Sequence, residues 1–285
     1  MSIPLLGDGV PTALKKLGLG LQSIETEVQS LRIPRDFRAL ATLGLIPGVS
    51  RFTVQGHNTD VDTGSVPEDV WQFGGLYPFP TSAQSLEVLS SSAADTAAGT
   101  GARSVRVTGT AADLSPISEV VVMNGTSPVA LSNSFYRINL FVAVTAGSDG
   151  SNAGSITLRV ASAGPVLGFM EARDGLSMSG IYTVPAGFRA VPIDVFLSLN
   201  RPGGASTTNV EVVIKTRDQA ANSPWIARQI FSLQSNGTSV VSRDPATPRV
   251  LPAGTDFRFE VVNVSSNDAN ISASVGFILF ADTFS

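Results

Sequence analysis

His57 is the only histidine in the chain, so any serine triad or imidazole acid–base pair would have to use it. It stands in Gly56-His-Asn-Thr-Asp-Val-Asp62, where Asn58, Asp60, Asp62 and Thr63 offer the hard oxygen ligands that calcium takes. The spacing lacks the mid-loop glycine and distal glutamate of an EF-hand loop, so no metal is assigned here. Cysteine is absent, which removes thiolate catalysis, disulfides and cysteine metal sites together. A lone histidine would need three carboxylates to complete a zinc site. No Gly-x-Ser-x-Gly elbow stands at a strand–helix junction. Gly99-Thr-Gly-Ala102 and Gly203-Gly204 are glycine-rich, but neither a Lys-Ser pair nor a helix start follows, which argues against a phosphate loop. Carboxylate pairs for glycoside hydrolysis could be drawn from the 23 acidic residues, yet context marks none, and they read as surface charges. The expectation is a chain without catalytic residues, cofactor or metal, hence no enzyme. A glycan depolymerase would need a paired-carboxylate cleft that the sequence neither displays nor forbids.

Aromatic side chains offer the other chemistry. Asp69-Val-Trp-Gln-Phe-Gly-Gly-Leu-Tyr-Pro-Phe-Pro80 gathers Trp71, Phe73, Tyr77 and Phe79 into the densest aromatic cluster of the sequence, and Trp225 stands apart from it. One reading is a platform on which a sugar or peptide stacks. The other is a plug that closes one end of a β-sandwich or packs on a neighbouring subunit, its path fixed by Pro78 and Pro80. Either way these five residues are the expected ligand or subunit contacts.

The elements that would position such residues are mostly strands. Short runs rich in Val, Ile, Phe and Thr recur at roughly 10–15-residue intervals and are bounded by Gly, Asn, Ser or Pro. The clearest block is Ser104–Val160, with Asn124-Gly125 as a short-turn signal and Gly147–Gly154 as a longer polar loop. Ser90–Ala102 reads as a small-residue surface loop, of low enough complexity for partial disorder. Alternation places Phe257, Phe259 and Val261 on one strand face and Arg258 and Glu260 on the other. Two turns look alike, Val184-Pro-Ala-Gly187 and Leu251-Pro-Ala-Gly254, and each precedes a strand-like run. The fold expected is mainly β: one or two antiparallel β-sandwich or jelly-roll domains preceded by a short N-terminal helix. Read linearly, residues 1–49 are a helical docking segment, 50–164 a first sandwich and 165–285 a second.

The expected helix runs from Pro11 to Arg32. Leu14, Leu17, Leu21, Ile24, Val28 and Leu31 recur at spacings of three and four, which is a heptad seam. Gly18 and Gly20 each weaken it by about 1 kcal/mol relative to alanine. Two readings stand: an amphipathic helix lying on its own domain, or a short oligomerising stalk behind β domains that already associate. A trimer suits the mixed Leu, Ile and Val seam. Residues 35–49 hold one or two further helical turns before Gly44 and Pro47-Gly48.

Composition narrows the partners. Charged residues make up 15% of 285 and apolar ones 43%, with net charge −4 and no basic tract. Nucleic acid is therefore not an expected partner, and no apolar run is long enough for membrane insertion. The N-terminus does not read as a signal peptide, because Asp8 interrupts the first apolar run and Lys15 and Lys16 follow it. A surface made of Ser, Thr, Gly, Asn and Ala rather than charges suits packing against copies of itself.

Five segments carry a resemblance: Asp-Val-Trp-x-x-Gly-Gly-x-Tyr-x-Phe-Pro from Asp69, Asp-Thr-Ala-Ala-Gly-Thr-Gly-Ala-Arg from Asp95, Ile-Ser-Glu followed by Asn-Gly-Thr from Ile117, Thr-Ala-Gly-Ser-x-Gly-x-Asn-Ala-Gly from Thr145, and Tyr-Thr-Val-Pro-Ala-Gly from Tyr182. Over roughly residues 69–187 the chain resembles a family of structural proteins of tailed bacteriophages. The resemblance implies a virion component: a capsid decoration protein, head fibre or spike, or a tail-associated fibre. It also implies docking to the major capsid protein or another virion protein through the N-terminal segment, with the distal domain facing outward. The alternative it leaves is a tail fibre or spike module that binds host-surface carbohydrate.

Overall fold

The computed structural model describes residues 37–200, 207–219, 223–235, 238–243 and 249–283. The heptad positions Leu14, Leu17, Leu21, Ile24, Val28 and Leu31 lie outside the described residues. The first described element is α1, Phe37–Thr42. It ends where Gly44 adopts φ +67°, with the Gly44 amide donating to Ala41 O and the Leu45 amide to Leu40 O. That pairing is a Schellman cap, which needs a residue free to enter the left-handed region. The helix packs through Ala41 against Val49, Ile193 and Ile278.

Among the described residues, everything after α1 is strand and turn, and every ladder is antiparallel. The strands are β1 (Val49–Val61), β2 (Glu68–Asp69), β3 (Gln84–Ser90), β4 (Ala102–Thr110), β5 (Pro116–Val122), β6 (Val129–Phe135), β7 (Arg137–Ala146) and β8 (Ile156–Val160). They continue as β9 (Val166–Met170), β10 (Ile181–Thr183), β11 (Phe188–Asn200), β12 (Thr208–Asp218), β13 (Ile226–Ser235), β14 (Thr238–Arg243), β15 (Thr255–Val264) and β16 (Ala269–Ala281).

Four sheets make two sandwiches. The sheet β6-β3-β8-β9 packs on β5-β4-β7, and both contribute to one core that includes Leu86, Val105, Phe135, Phe141, Leu158 and Met170. The sheet β1-β16-β11-β14 packs on β10-β15-β12-β13 around a core that includes Val54, Leu197, Val212, Phe257, Phe259 and Phe277. Burying each such side chain stabilises the fold by about 1.5–3 kcal/mol before chain entropy is set against it.

The linear division at residues 164/165 is corrected by this pairing. β1 runs alongside β16 from Val49↔Phe280 to Val61↔Ala269, and β2 pairs with β15. β9, placed beyond the boundary by linear reading, pairs with β8. The first sandwich is thus an insertion, spanning β3 to β9, within a second one built from both flanking parts of the chain. Turn signals are local, whereas pairing between strands two hundred residues apart leaves no mark in either strand.

Two loops read from the sequence have defined internal partners. Ser90–Ala102 is an ordered wrap around Asp95, which has no solvent exposure. Asn124-Gly125 does sit in a short turn, with Gly125 at φ +61° and the Ser127 amide donating to Asn124 O at 3.2 Å, and it links β5 and β6 of different sheets. The two Pro-Ala-Gly turns do lie side by side: the Gly254 amide donates to Val184 O at 2.8 Å and the Val184 amide to Thr255 O at 3.0 Å. They launch β11 and β15 into the facing sheets of the outer sandwich.

Candidate functional site

The aromatic segment is a strap that leaves β2, runs between the sandwiches and enters β3. Gly74 and Gly75 turn it, with φ of +77° and +70°, so that the Trp71 indole N–H donates to Gly75 O at 2.9 Å. Trp71 is 2% exposed and Tyr77 5%, and the Tyr77 hydroxyl donates to Leu167 O of the inserted sandwich. The sequence left Trp225 apart, but the fold brings it onto the strap. Ring centroids run from Phe73 to Trp71 (5.3 Å), Trp71 to Tyr77 (5.2 Å), Tyr77 to Phe79 (4.9 Å) and Phe79 to Trp225 (4.9 Å). Only Phe73 is exposed at one end, while Phe79 and Trp225 are half-buried at the other. The row is therefore an internal plug over most of its length, and Trp71 offers no face on which a sugar could stack.

A charge cluster lies against the far end of this row. In β15 the apolar alternation holds, with Phe257, Phe259 and Val261 in the outer core. Its polar face is not solvated, because Asp256, Arg258 and Glu260 are buried beneath the strap and the inserted sandwich. Asp256 accepts from Arg137 Nε and Nη2 at 3.0 and 3.1 Å, from Arg217 Nε and Nη2 at 3.1 and 3.0 Å, from Thr183 Oγ1 at 2.6 Å, and from Gln219. Arg137 completes its bonding by donating Nη1 to Pro80 O and Tyr136 O. Arg258 and Lys215 both pair with Glu260, and Arg258 also reaches Asp69 at 3.4 Å. The guanidiniums of Arg217 and Arg258 lie 4.6 and 4.3 Å from the Trp225 ring centroid, so that ring is engaged within the chain. Arg137–Asp256 ties β7 of the inserted sandwich to β15 of the outer one. A substrate could reach these carboxylates only by displacing the arginines that already saturate them.

Asp69 is the exception to that saturation. It sits directly across the ladder from Glu260, and its Oδ1 has no hydrogen-bond partner. Burial, opposed mainly by Arg258, pushes its carboxyl up to about 7 from the ordinary 3.8. Between about pH 4 and 7 the folded chain then holds a proton that the unfolded chain has released. Stability should fall as pH rises through that window and level off above it. Asp69→Asn is expected to flatten the slope. Urea midpoints measured from pH 4 to 7.5 check this, and parallel curves for the two proteins would show that Asp69 does not titrate there.

His57 lies in β1 opposite Ser272, and its Nδ1 is 2.8 Å from Ser272 Oγ. It takes no part in an acidic group. Asn58 is buried and donates to Glu68 Oε2 and Asp69 O, while Thr63 bonds Asn267. Asp60 and Asp62 instead meet Asp268, with carboxylate oxygens within 4.8 Å of one another. Asp62 Oδ1 accepts the Asp268 amide at 2.9 Å.

The outer face of the β5-β4-β7 sheet has a different character. Register sets Val122 across from Ser104, Val120 across from Arg106 and Ser118 across from Thr108, with Val142 and Leu140 completing the last two rows on β7. Val120 and Val122 are each 56% exposed, and Leu140 and Val144 are also exposed. The hydroxyls between them bond one another, Ser104 to Thr145 at 2.6 Å and Thr108 to Ser118 at 3.0 Å. Arg106 is the one charge in these three rows. This face was not legible in the sequence. Its alternation was visible, but which side of a strand lies outward depends on the sheet it packs against.

No family model matches the chain, and no curated protein matches it. Among solved structures, the VP2 subviral particle of infectious bursal disease virus is similar at 14% identity over 83% of this chain and 73% of that one, with a TM-score of 0.21. The Gx strain of the same virus is similar at 11% identity over 87% and 78%, with a TM-score of 0.22. Overlaps this loose carry no argument about the function of the chain. Among the described residues no helix is long and apolar enough to cross a membrane.

Proposed function

We propose that this chain is a non-enzymatic virion structural protein of tailed-phage type. In this reading it is a homotrimeric capsid decoration or head-fibre protein held to the particle by residues 1–49. The observation that carries the self-association is the exposed β5-β4-β7 face. Its valines are solvent-exposed, its hydroxyls are already paired with each other, and it holds little charge to desolvate, so covering it removes apolar area from water at small polar cost. The sparse charge of the sequence is thinner still outside, since Asp69, Asp256, Glu260, Arg137 and Arg258 are consumed internally. The virion assignment and the capsid or other virion partners rest on the sequence resemblance over residues 69–187.

The test is the native mass of the full chain. Three times the 29.6 kDa chain is expected, falling to a single chain in Val120→Lys/Val122→Lys. Both positions are solvent-exposed, so the variant keeps its fold. A wild-type monomer that does not bind particles would sink the reading. A chain lacking residues 1–35 that remains trimeric but no longer binds particles would place anchoring in the N-terminal segment.

The second reading, a host-glycan module, is favoured by one observation. A cleft of about 270 Å³ between the sandwiches is lined by Phe79, Tyr136, Arg217, Gln219 and Ser223, a mixture of rings and hydrogen-bonding groups suited to a sugar. Glycan binding that survives Trp71→Phe but is lost in Tyr136→Ala would support it.

A further inference from the structure

Among the described residues, the outer sandwich is open at one end, between β11, β12, β13 and β15. The opening is a groove of about 310 Å³ with Pro192, Val195, Ile214, Leu251 and Phe257 among its walls. That size is at the lower end of ligand sites, which run to about 300–1,000 Å³. Two arginines, Arg228 and Arg249, line the same groove. Arg228 Nε donates to Thr216 Oγ1 at 2.7 Å. Neither guanidinium meets a carboxylate among the described residues, whereas Arg51, Arg137, Arg159, Arg189, Arg217 and Arg258 all do. Partial burial, and then the charge of Arg249, hold the Arg228 guanidinium below its usual range. Two like charges side by side on an apolar groove leave an anion's place open.

The surroundings favour a polypeptide over a small molecule. β13 is an edge strand, paired only with β12 among the described residues. Alternation fails at its start, where Ile226, Ala227 and Arg228 are all exposed. Large apolar side chains flank the groove-lining residues in sequence: Ile226 is 41% exposed and Val250 53%. A small carboxylate would fill the groove and leave that rim wet. An extended segment laid along β13 would pair with the free edge and cover the rim.

We propose that this groove and the β13 edge dock an extended segment of a partner protein, with an acidic side chain between Arg228 and Arg249 and an apolar one in the groove. The site lies on the other sandwich from the β5-β4-β7 face, and it requires no self-association.

The probe is a fluorescein-labelled, end-blocked peptide, Val-Glu-Val-Thr-Val, with a Gln-for-Glu twin, titrated against the full chain by anisotropy. Saturable binding is expected, about tenfold or more weaker for the twin, since a charge-assisted pair is lost. Arg228→Gln/Arg249→Gln should weaken the acidic peptide by a similar factor and leave the twin unchanged. Arg249→Glu, at an exposed position, repeats the test by charge reversal and should abolish the preference. Equal affinity for the two peptides, or arginine variants that bind like wild type, would overturn the proposal. Octanoate bound at the groove with neither peptide bound would also overturn it, in favour of a small-carboxylate pocket. Native mass reads the β5-β4-β7 face and peptide anisotropy reads the groove, so failure of either proposal is seen separately.

Discussion

Asp256→Ala should lower folding stability by about 3–5 kcal/mol, the cost of breaking a buried ion pair by removing one partner. The side chain of Arg137 is 1% exposed and that of Asp256 fully buried. Alanine would therefore leave the Arg137 guanidinium without its counter-charge and out of reach of water. Arg217, Thr183 Oγ1 and Gln219 would lose the same acceptor. The loss falls at a junction, since Arg137 belongs to the inserted sandwich and Asp256 to the outer one. The urea transition should therefore broaden or split, because two cores formerly unfolding together would separate. Arg137→Met/Asp256→Leu should recover part of the loss, since neither buried charge then remains. Full recovery is not expected, because Arg217 still lacks its partner. Unfolding free energies of wild type, the single variant and the double variant decide it. A single variant within 1 kcal/mol of wild type, with one sharp transition, would show that the clamp is solvated and does not join the sandwiches.

The clamp also marks where the sequence stopped being readable. Strand type was legible for most elements, because alternation and Gly/Pro punctuation are properties of a single segment, whereas β6, Val129–Phe135, with its run of Ser and Asn, was not. The run Phe257-Arg-Phe-Glu-Val261 was correctly divided into two faces. The acidic residues read as surface charges, yet Glu260 and its neighbour Arg258 lie buried beneath the strap. Only the insertion explains that, and the insertion depends on β1 pairing with β16 and β2 with β15. The aromatic segment was legible as a cluster, and the plug was one of its two readings. Its extension to Trp225 was not legible, because the contact crosses about 150 residues. The β13 groove left no signal, since Arg228 and Arg249 lie about twenty residues apart in sequence and become neighbours only when the sandwich closes.

The glycine-rich run beginning at Asp95 keeps the physics of an anion-cradling loop without the sequence of a phosphate loop. Such loops turn backbone N–H groups toward an anion. The anion here is the chain's own Asp95, and the donors are the Ala102 amide at 2.6 Å and the Ala153 amide at 2.8 Å to Oδ1, with the Gly154 amide at 3.0 Å and Ser90 Oγ at 2.5 Å to Oδ2. A Cβ at Gly101 would stand 2.1 Å from Asp95 Oδ1, so the approach requires glycine. Two of the resemblance segments, from Asp95 and from Thr145, thus meet on one carboxylate and fix the turn before β4 to the turn before β8. Asp95→Ala would leave three backbone donors unpaired, each costing about 1–3 kcal/mol when buried. With partial relaxation a total of about 3–5 kcal/mol is expected. Asp95→Asn should fall between, because its amide group presents donors to Gly154 N–H while Ser90 can rotate to accept. Amide exchange at Ala102, Ala153 and Gly154 is the decisive readout. Those three should lose protection together in Asp95→Ala, well before the outer sandwich does. Retained protection would mean that water replaces the carboxylate, and the loop would then owe its shape to the glycines rather than to Asp95.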